Sequence, residues 1–170
     1  MPEVGKLDEL VRGELVVREP AGFEHSALVR AIAMRVQAYA TEHGLGVTTV
    51  ADGGYLLEEN PDTVRVPDVG FIRQERIAEQ GIPSGFWHGS PDLAVEVLSP
   101  NDSKKATLRK GQSYLDAGTQ IVWIADPLGR TVTVLRPDTA PAVLGPDDVA
   151  DGGNALPGFR MRVAELLTLS

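Results

Sequence analysis

The chain has 170 residues, 42% of them hydrophobic and 24% charged, and is long enough to fold as one domain around a substantial core. It contains no cysteine, which excludes disulfides, thiolate metal sites and cysteine nucleophiles and fits a reducing cytoplasm. The formal net charge of -8 argues against a protein that coats nucleic acid, because neutralising phosphates requires basic residues. With no leader pattern and no apolar segment of membrane-spanning length, we expect a cytoplasmic protein.

The first half of the sequence predicts two helices and a meander of strands. Residues 7–17 indicate a short helix that turns at Gly13 into a strand, with Glu14 at the junction. Apolar residues recur at helical spacing from Glu24 to His43, and Gly44 is placed to end that helix. Strands are predicted at 46–50, 54–57 and 64–72, with a turn at 60–62. Residues 74–90 have the glycine and proline content of a loop, which could cover a site.

The second half predicts a strand, a helix and another strand in succession. Residues 93–98 form the most apolar strand, apolar on both faces, and such a strand belongs in the middle of a sheet. A helix is expected from Lys104 to Ala117, ended by Gly118, and then a strand at 121–125, which together suggest a right-handed crossover. Strands at 131–136 and 159–163 and a closing helix at 164–167 follow. The order predicts an α/β (α+β) fold, with a mixed central β-sheet flanked by helices and peripheral antiparallel strands.

Glu96 is the most informative residue for function. A carboxylate inside an apolar strand is unfavourable unless a cation or hydrogen-bond donors compensate it. A neighbouring strand could bring Asp68 alongside Glu96, and two hard oxygen ligands suit Mg²⁺ or Mn²⁺. A lysine beside such a metal can orient the attacking water, and the predicted helix after Glu96 supplies Lys104, Lys105 and Lys110.

Each of these residues also has a structural interpretation. Glu96 could form an ion pair with Arg109 or Lys110 instead of binding a metal. The basic residues of the following helix could be a solvated face. His25, at the start of a long helix, is more often a polar contact than a base, and the three histidines do not form a zinc triad. The glycine pairs lack a phosphate-loop pattern, which argues against a nucleotide cofactor.

These residues resemble those of a known family. Pro67-Asp68 followed by Glu96-Val97-Leu98 resembles the Pro-Asp, (Asp/Glu)-x-Lys pattern of restriction-endonuclease-like nucleases, with Leu98 where the lysine would stand. The sequence, including this departure, resembles the Uma-type family of restriction endonucleases over nearly all of its 170 residues. The likeness rests on residues 91–100, Lys110, 114–118, 122–127, 156–159, Gly13-Glu14-Leu15 and His25.

The resemblance implies a restriction-endonuclease-like fold over residues 1–170 and a role for particular residues. Asp68 and Glu96 would be metal ligands, and the main-chain carbonyl of Val97 would complete the Mg²⁺ or Mn²⁺ shell. Lys110 would replace the lysine missing at position 98. Glu14 and His25 would be accessory residues, Glu14 either at a second metal or facing solvent. The implied activity is an endonuclease that hydrolyses DNA phosphodiester bonds by in-line attack of a metal-activated water.

Two other functions stay open at this stage. The missing lysine and the acidic composition also suit a non-catalytic binding or assembly module of the same fold. A hydrolase of small phosphate esters would need no basic groove and also suits an acidic protein. If the substrate is DNA, a homodimer could place basic side chains around one cleft and focus positive potential there. The candidates for that cleft are Arg73, Arg76, Lys104, Lys105 and Arg109.

Overall fold

The computed structural model describes residues 8–169. Its helices are α1 (Phe23–His43), α2 (Gln74–Gln80), α3 (Lys104–Asp116) and α4 (Val163–Leu166). Its strands are β1 (Glu9–Val11), β2 (Glu14–Val16), β3 (Gly46–Val50), β4 (Tyr55–Glu58), β5 (Thr63–Arg65), β6 (Val69–Arg73), β7 (Trp87–His88), β8 (Leu93–Val97), β9 (Ile121–Asp126), β10 (Thr131–Leu135), β11 (Ala142–Leu144), β12 (Val149–Asp151) and β13 (Arg160–Arg162). In the described part of the chain, no helix combines the length and the apolar character needed to cross a bilayer.

A six-stranded mixed sheet forms the centre of the molecule, in the order β11-β10-β9-β8-β6-β3. Strand β8 lies inside it, parallel to β9 and antiparallel to β6, and every residue of β8 is buried. The prediction of a central strand at residues 93–98 is therefore confirmed. Both faces of this strand need apolar side chains because each face of the sheet is covered.

The two long helices cover opposite faces of the central sheet. Residues of α1 share a core cluster with Leu93, Val95 and Val97, whereas Tyr114 of α3 packs with Ala94 and Leu98. The α1 helix ends where the sequence predicts, because Gly44 adopts a left-handed conformation. The α3 helix begins after Ser103, whose hydroxyl oxygen accepts from the Ala106 N–H. It connects the parallel strands β8 and β9, as the strand–helix–strand pattern predicts.

The prediction of a helix near the N-terminus is wrong for the described residues; Leu7 lies outside them. Strands β1 and β2 form an antiparallel hairpin, and both turn residues have positive φ, +50° at Arg12 and +79° at Gly13. Such a pair of φ values suits a two-residue turn that matches the twist of a hairpin. The hairpin is the edge of a five-stranded sheet in the order β2-β1-β5-β4-β7.

Two further predictions change in the structure. The alternating run at 64–72 is not one strand: β5 belongs to the five-stranded sheet and β6 to the six-stranded sheet, and the chain crosses between them at residues 66–68. Pro67 supplies no backbone N–H for continuous pairing, which favours this break. The predicted loop at 74–90 contains helix α2 and strand β7, and Trp87 of that strand is buried beside Tyr55.

Candidate active site

Glu96 projects from the middle of the molecule towards helix α3. It is 5% exposed, and its Oε1 accepts from the Tyr114 hydroxyl at 2.9 Å and lies 2.9 Å from the Lys110 ammonium. Burial raises the pKa of Glu96 to about 7, although the Lys110 charge acts in the opposite direction; the neighbouring Asp68 carboxylate raises it further. Burial therefore outweighs the ion pair, and Glu96 can hold a proton near neutral pH.

Lys110 is shared between Glu96 and a second carboxylate, that of Glu9. The Lys110 ammonium lies 2.8 Å from Glu9 Oε1, which also accepts from the Val66 N–H at 2.9 Å. Arg65 lies 2.9 Å from the other oxygen of Glu9. Burial alone would raise the pKa of Glu9, but Lys110 and the other donors outweigh it and lower the value. Glu9 therefore stays ionised and forms an ion pair with Lys110.

Asp68 lies where the chain passes from the five-stranded to the six-stranded sheet. Its Oδ2 accepts from the Val97 N–H at 2.8 Å and lies 3.3 Å from His25 Nε2, while Arg18 lies 3.2 Å from Oδ1. Burial would raise the pKa of Asp68, but the hydrogen bonds from His25 and Val97, together with nearby positive charge, lower it. Asp68 is therefore an ionised carboxylate at the carboxyl end of β8.

His25 connects helix α1 to the same end of β8. Its Nε2 lies 2.8 Å from the Val97 carbonyl oxygen as well as 3.3 Å from Asp68 Oδ2. A carbonyl oxygen can only accept, so Nε2 donates in this arrangement. The hydrogen bond to Asp68 raises the pKa of His25. One nitrogen thus lies between two oxygens of the kind that bind divalent cations.

These side chains border a cleft of about 730 Å³. Its walls are the segment before α1, the end of β8 and the first half of α3, and they include Asp68, Glu96, Val97, His25 and Lys110. A concave surface with converging charged groups and perturbed pKa values is typical of a catalytic or binding site. Among residues 8–169, no group of three or more His, Asp or Glu side chains is arranged so that it could hold a metal ion.

The structure brings most of the predicted site residues together. Asp68, Glu96, Val97 and Lys110 meet in the cleft, and the ion pair between Glu96 and Lys110, expected as an alternative to metal binding, is present. Glu14 does not join them: it is exposed on the edge strand β2, three residues beyond the end of β1. The predicted loop does not line the cleft, since its helix and strand pack elsewhere.

The proposed basic cleft has fewer available cations than the sequence suggested. Arg73 pairs with Glu75, Arg76 with Asp92 and Lys104 with Asp126. These residues neutralise carboxylates of the same chain, which reduces what they can offer to a phosphate backbone. Any positive potential at the site therefore depends on other side chains.

Sequence reasoning missed Glu9, Arg18 and Tyr114. A signal for Glu9 existed in the repeated tripeptide Glu-Leu-Val at 9–11 and 14–16, separated by Arg12 and Gly13. Two short β-type runs separated by two residues, the second a glycine, are typical of a hairpin. Glu9 and Glu14 project from the same face of this hairpin, because Glu14 pairs with Val11. Glu9 is buried because β1 lies inside the sheet, whereas Glu14 is exposed on the edge strand β2.

Comparisons with known proteins agree with the fold described above. A solved structure described as a putative nuclease belonging to DUF820, from Anabaena variabilis, superposes with a TM-score of 0.86 and 22% identity, over 99% of this chain and 94% of that one. This confirms the restriction-endonuclease-like arrangement of a mixed sheet flanked by helices. No curated protein matches the chain significantly. The family model named Uma2, described as "Putative restriction endonuclease", matches residues 4–164. The chain therefore belongs to the Uma2 family.

Proposed function

We propose that this protein is an endonuclease that hydrolyses DNA phosphodiester bonds with the help of Mg²⁺ or Mn²⁺. The observation that carries the proposal is the Lys110 ammonium 2.9 Å from the Glu96 carboxylate, at a cleft that also contains Asp68. The family description and the described nuclease with the same fold support a nuclease role. Metal dependence and mechanism are inferred from the chemistry of the site.

The donors available in the cleft suit a hard divalent cation. Asp68, Glu96 and the Val97 carbonyl offer oxygen atoms, the preferred ligands of Mg²⁺, and His25 adds a nitrogen that Mn²⁺ also accepts. His25 Nε2 now donates its proton between Asp68 and Val97. Loss of that proton would leave a nitrogen lone pair next to the Val97 and Asp68 oxygens, and all three atoms could then bind one cation. A bound cation would lower the pKa of Glu96 and keep this carboxylate ionised, and binding would displace the proton that burial favours.

Each residue then has a distinct task. A bound divalent ion would supply Lewis acidity and an acidified water. Lys110 would orient that water or offset the negative charge that develops on the phosphate oxygens. Glu9 would hold Lys110 in place, since their atoms are 2.8 Å apart. Arg18, beside Asp68 at the mouth of the cleft, would bind a phosphate oxygen.

Mn²⁺ titration by calorimetry and a plasmid-nicking assay test the proposal on the same samples. Wild type should bind Mn²⁺ and nick plasmid, and Asp68→Ala and Glu96→Ala should lose both while keeping a folded circular-dichroism spectrum. Glu58→Ala, at an exposed strand residue, is the matched control and should behave as wild type. Nicking that persists in both site variants would refute the assignment of these carboxylates.

The other two functions predict different results in this experiment. Mn²⁺ binding without nicking of any DNA, and with hydrolysis of mononucleotides, would identify a hydrolase of small phosphate esters, which the net charge of -8 favours. Mn²⁺ binding without any hydrolysis would identify a non-catalytic module, which the buried Leu98 at the usual lysine position favours. A homodimer is part of our proposal as well, and light scattering of the metal-loaded protein tests it.

A further inference from the structure

A second cavity, of about 460 Å³, adjoins the 730 Å³ cleft described above, which we call the catalytic cleft. It is bounded by helix α1 and by strand β3, which is the edge of the central sheet. Three residues of the candidate active site, Arg18, His25 and Asp68, line both cavities. A molecule that places a phosphate in the cleft can therefore extend directly into this second cavity.

The walls of the second cavity are mainly apolar. The apolar residues are Ala21, Val29, Ala33, Met34, Val50 and Ala51. Thr48 also lines the cavity, but its Oγ1 is buried away from the open space and offers no hydrogen bond to an occupant. The wall therefore suits an occupant that contributes apolar surface, such as the face of a flat heterocycle.

Charges of both signs border this apolar space, because Glu19 and Asp68 line it together with Arg18 and Arg30. Arg18 lies between the two cavities, and the exposed Arg30 lines the second one from helix α1. The chain as a whole has 24 acidic and 16 basic residues, so it is poorly suited to bind DNA through many phosphate contacts. Affinity for a nucleic acid must then come largely from contacts to bases, as in proteins that bind unpaired strands.

We propose that the second cavity binds one unstacked nucleobase of the strand whose phosphate lies in the catalytic cleft. This inference rests on the proposed nuclease function and narrows the substrate to single-stranded or locally unpaired DNA. The base would lie against the apolar wall of α1 and β3. Arg30 would neutralise a phosphate next to the one that is cleaved. A paired base inside a duplex cannot reach such a cavity without leaving the stack.

Two variants of one strand provide a matched test. Val50 lines the cavity and is 42% exposed, whereas Val47 lies on the opposite face of β3 and is 40% exposed. Val50→Trp places a bulky ring in the space meant for the base, and Val47→Trp adds the same ring outside it. Met34→Trp, from the α1 side, is a second variant that fills the cavity in case Val50→Trp fails to fold.

The measurement is fluorescence anisotropy with two labelled strands of equal length and charge in Mn²⁺. One is ordinary single-stranded DNA, and the other consists only of abasic sugar-phosphate units. Wild type and Val47→Trp should bind the ordinary strand about ten-fold or more tightly than the abasic strand. Val50→Trp and Met34→Trp should reduce this preference to less than about two-fold, with little change in their affinity for the abasic strand.

Several results would overturn the proposal. Equal binding of both strands by wild type, no binding of either strand, or an unchanged base preference in the folded Val50→Trp and Met34→Trp variants each excludes the base pocket. Plasmid nicking is measured separately on the same proteins. If wild type shows no base preference but still nicks plasmid, only the base pocket is refuted and the proposed nuclease function stands. If the base preference depends on Val50 but the protein never nicks DNA, only the proposed nuclease function is refuted and the base pocket stands.

Discussion

Replacing Glu96 with Gln should stabilise the metal-free protein at alkaline pH. Glutamine keeps the shape and the oxygen that accepts from Tyr114, but it removes a charge that burial disfavours. Because the folded-state pKa of Glu96 is raised, neutral Glu96 contributes stability that is fully present below pH 4.5 and is lost as the pH rises through 7. The variant has no such dependence.

The expected size follows from the same pKa. A rise from 4.5 to about 7 corresponds to a difference in the free energy of unfolding of about 3 kcal/mol above pH 7. For a chain of this length that equals an increase in Tm of about 6 to 12 °C. Differential scanning calorimetry in EDTA at pH 4.5 and pH 8 measures the difference between Glu96→Gln and wild type, in which the contributions of Glu9 and Asp68 largely cancel.

Either of two results would refute the conclusion that burial keeps Glu96 protonated. If wild type is the more stable protein at pH 8, or if the difference between the two proteins is the same at both pH values, the ion pair with Lys110 outweighs burial and Glu96 is ionised throughout. Glu58→Gln is the control, since this residue is exposed and should shift Tm by less than about 2 °C. Adding Mn²⁺ should then raise the Tm of wild type more than that of Glu96→Gln.

Three further predictions test the site and the fold. Lys110→Met should reduce plasmid nicking by about 100-fold or more because it removes the ammonium beside the β8 carboxylate, and a loss below ten-fold would contradict its role. Gly46→Ala should lower the free energy of unfolding by about 2 kcal/mol or more, since a Cβ would lie 2.0 Å from the Ile72 carbonyl oxygen; an unchanged urea midpoint would contradict this. In urea denaturation, Glu9→Gln should cost about 3 kcal/mol, whereas Glu14→Gln should change stability by less than about 0.5 kcal/mol, and equal effects would contradict the importance of the buried ion pair between Glu9 and Lys110.

The elements that could be predicted from the sequence are those with a long or unusual local signal. Helix α1 has 21 residues with a glycine at its end, and β8 is a continuous apolar run, so periodicity and composition define both. The hairpin strands β1 and β2 have three residues each, too few for a period to be recognised. Strand β1 also pairs with β5, far away in the sequence, and this contact could not be predicted from the local sequence.

The site divides in the same way. Glu96 was recognisable because a carboxylate is exceptional in an apolar strand, and Asp68 and Lys110 followed from the family pattern. The partners of Glu9 and Arg18 are distant in the sequence: Glu9 hydrogen-bonds to a residue 57 positions away, and Arg18 to Asp68, 50 positions away. The local repeat at residues 9–16 indicates the hairpin that carries Glu9, but it does not identify these partners. Such contacts arise only when the two sheets assemble. The catalytic roles of all these residues are predictions for the experiments above.

The Lys110 ammonium contacts Glu9 of the five-stranded sheet and Glu96 of the six-stranded sheet, and this has a consequence for truncating the chain. The residues of the Pro-Asp, (Asp/Glu)-x-Lys pattern all lie from Pro67 onwards, which makes the first strands look dispensable to anyone choosing where a shortened protein should start. A chain that begins after β1 would keep the whole motif yet lack the carboxylate opposite Lys110. It would also leave the outer edge of β5 without its partner strand. Start sites for shortened or tagged versions should therefore lie before Glu9, and an inactive truncation starting beyond it says nothing about the motif.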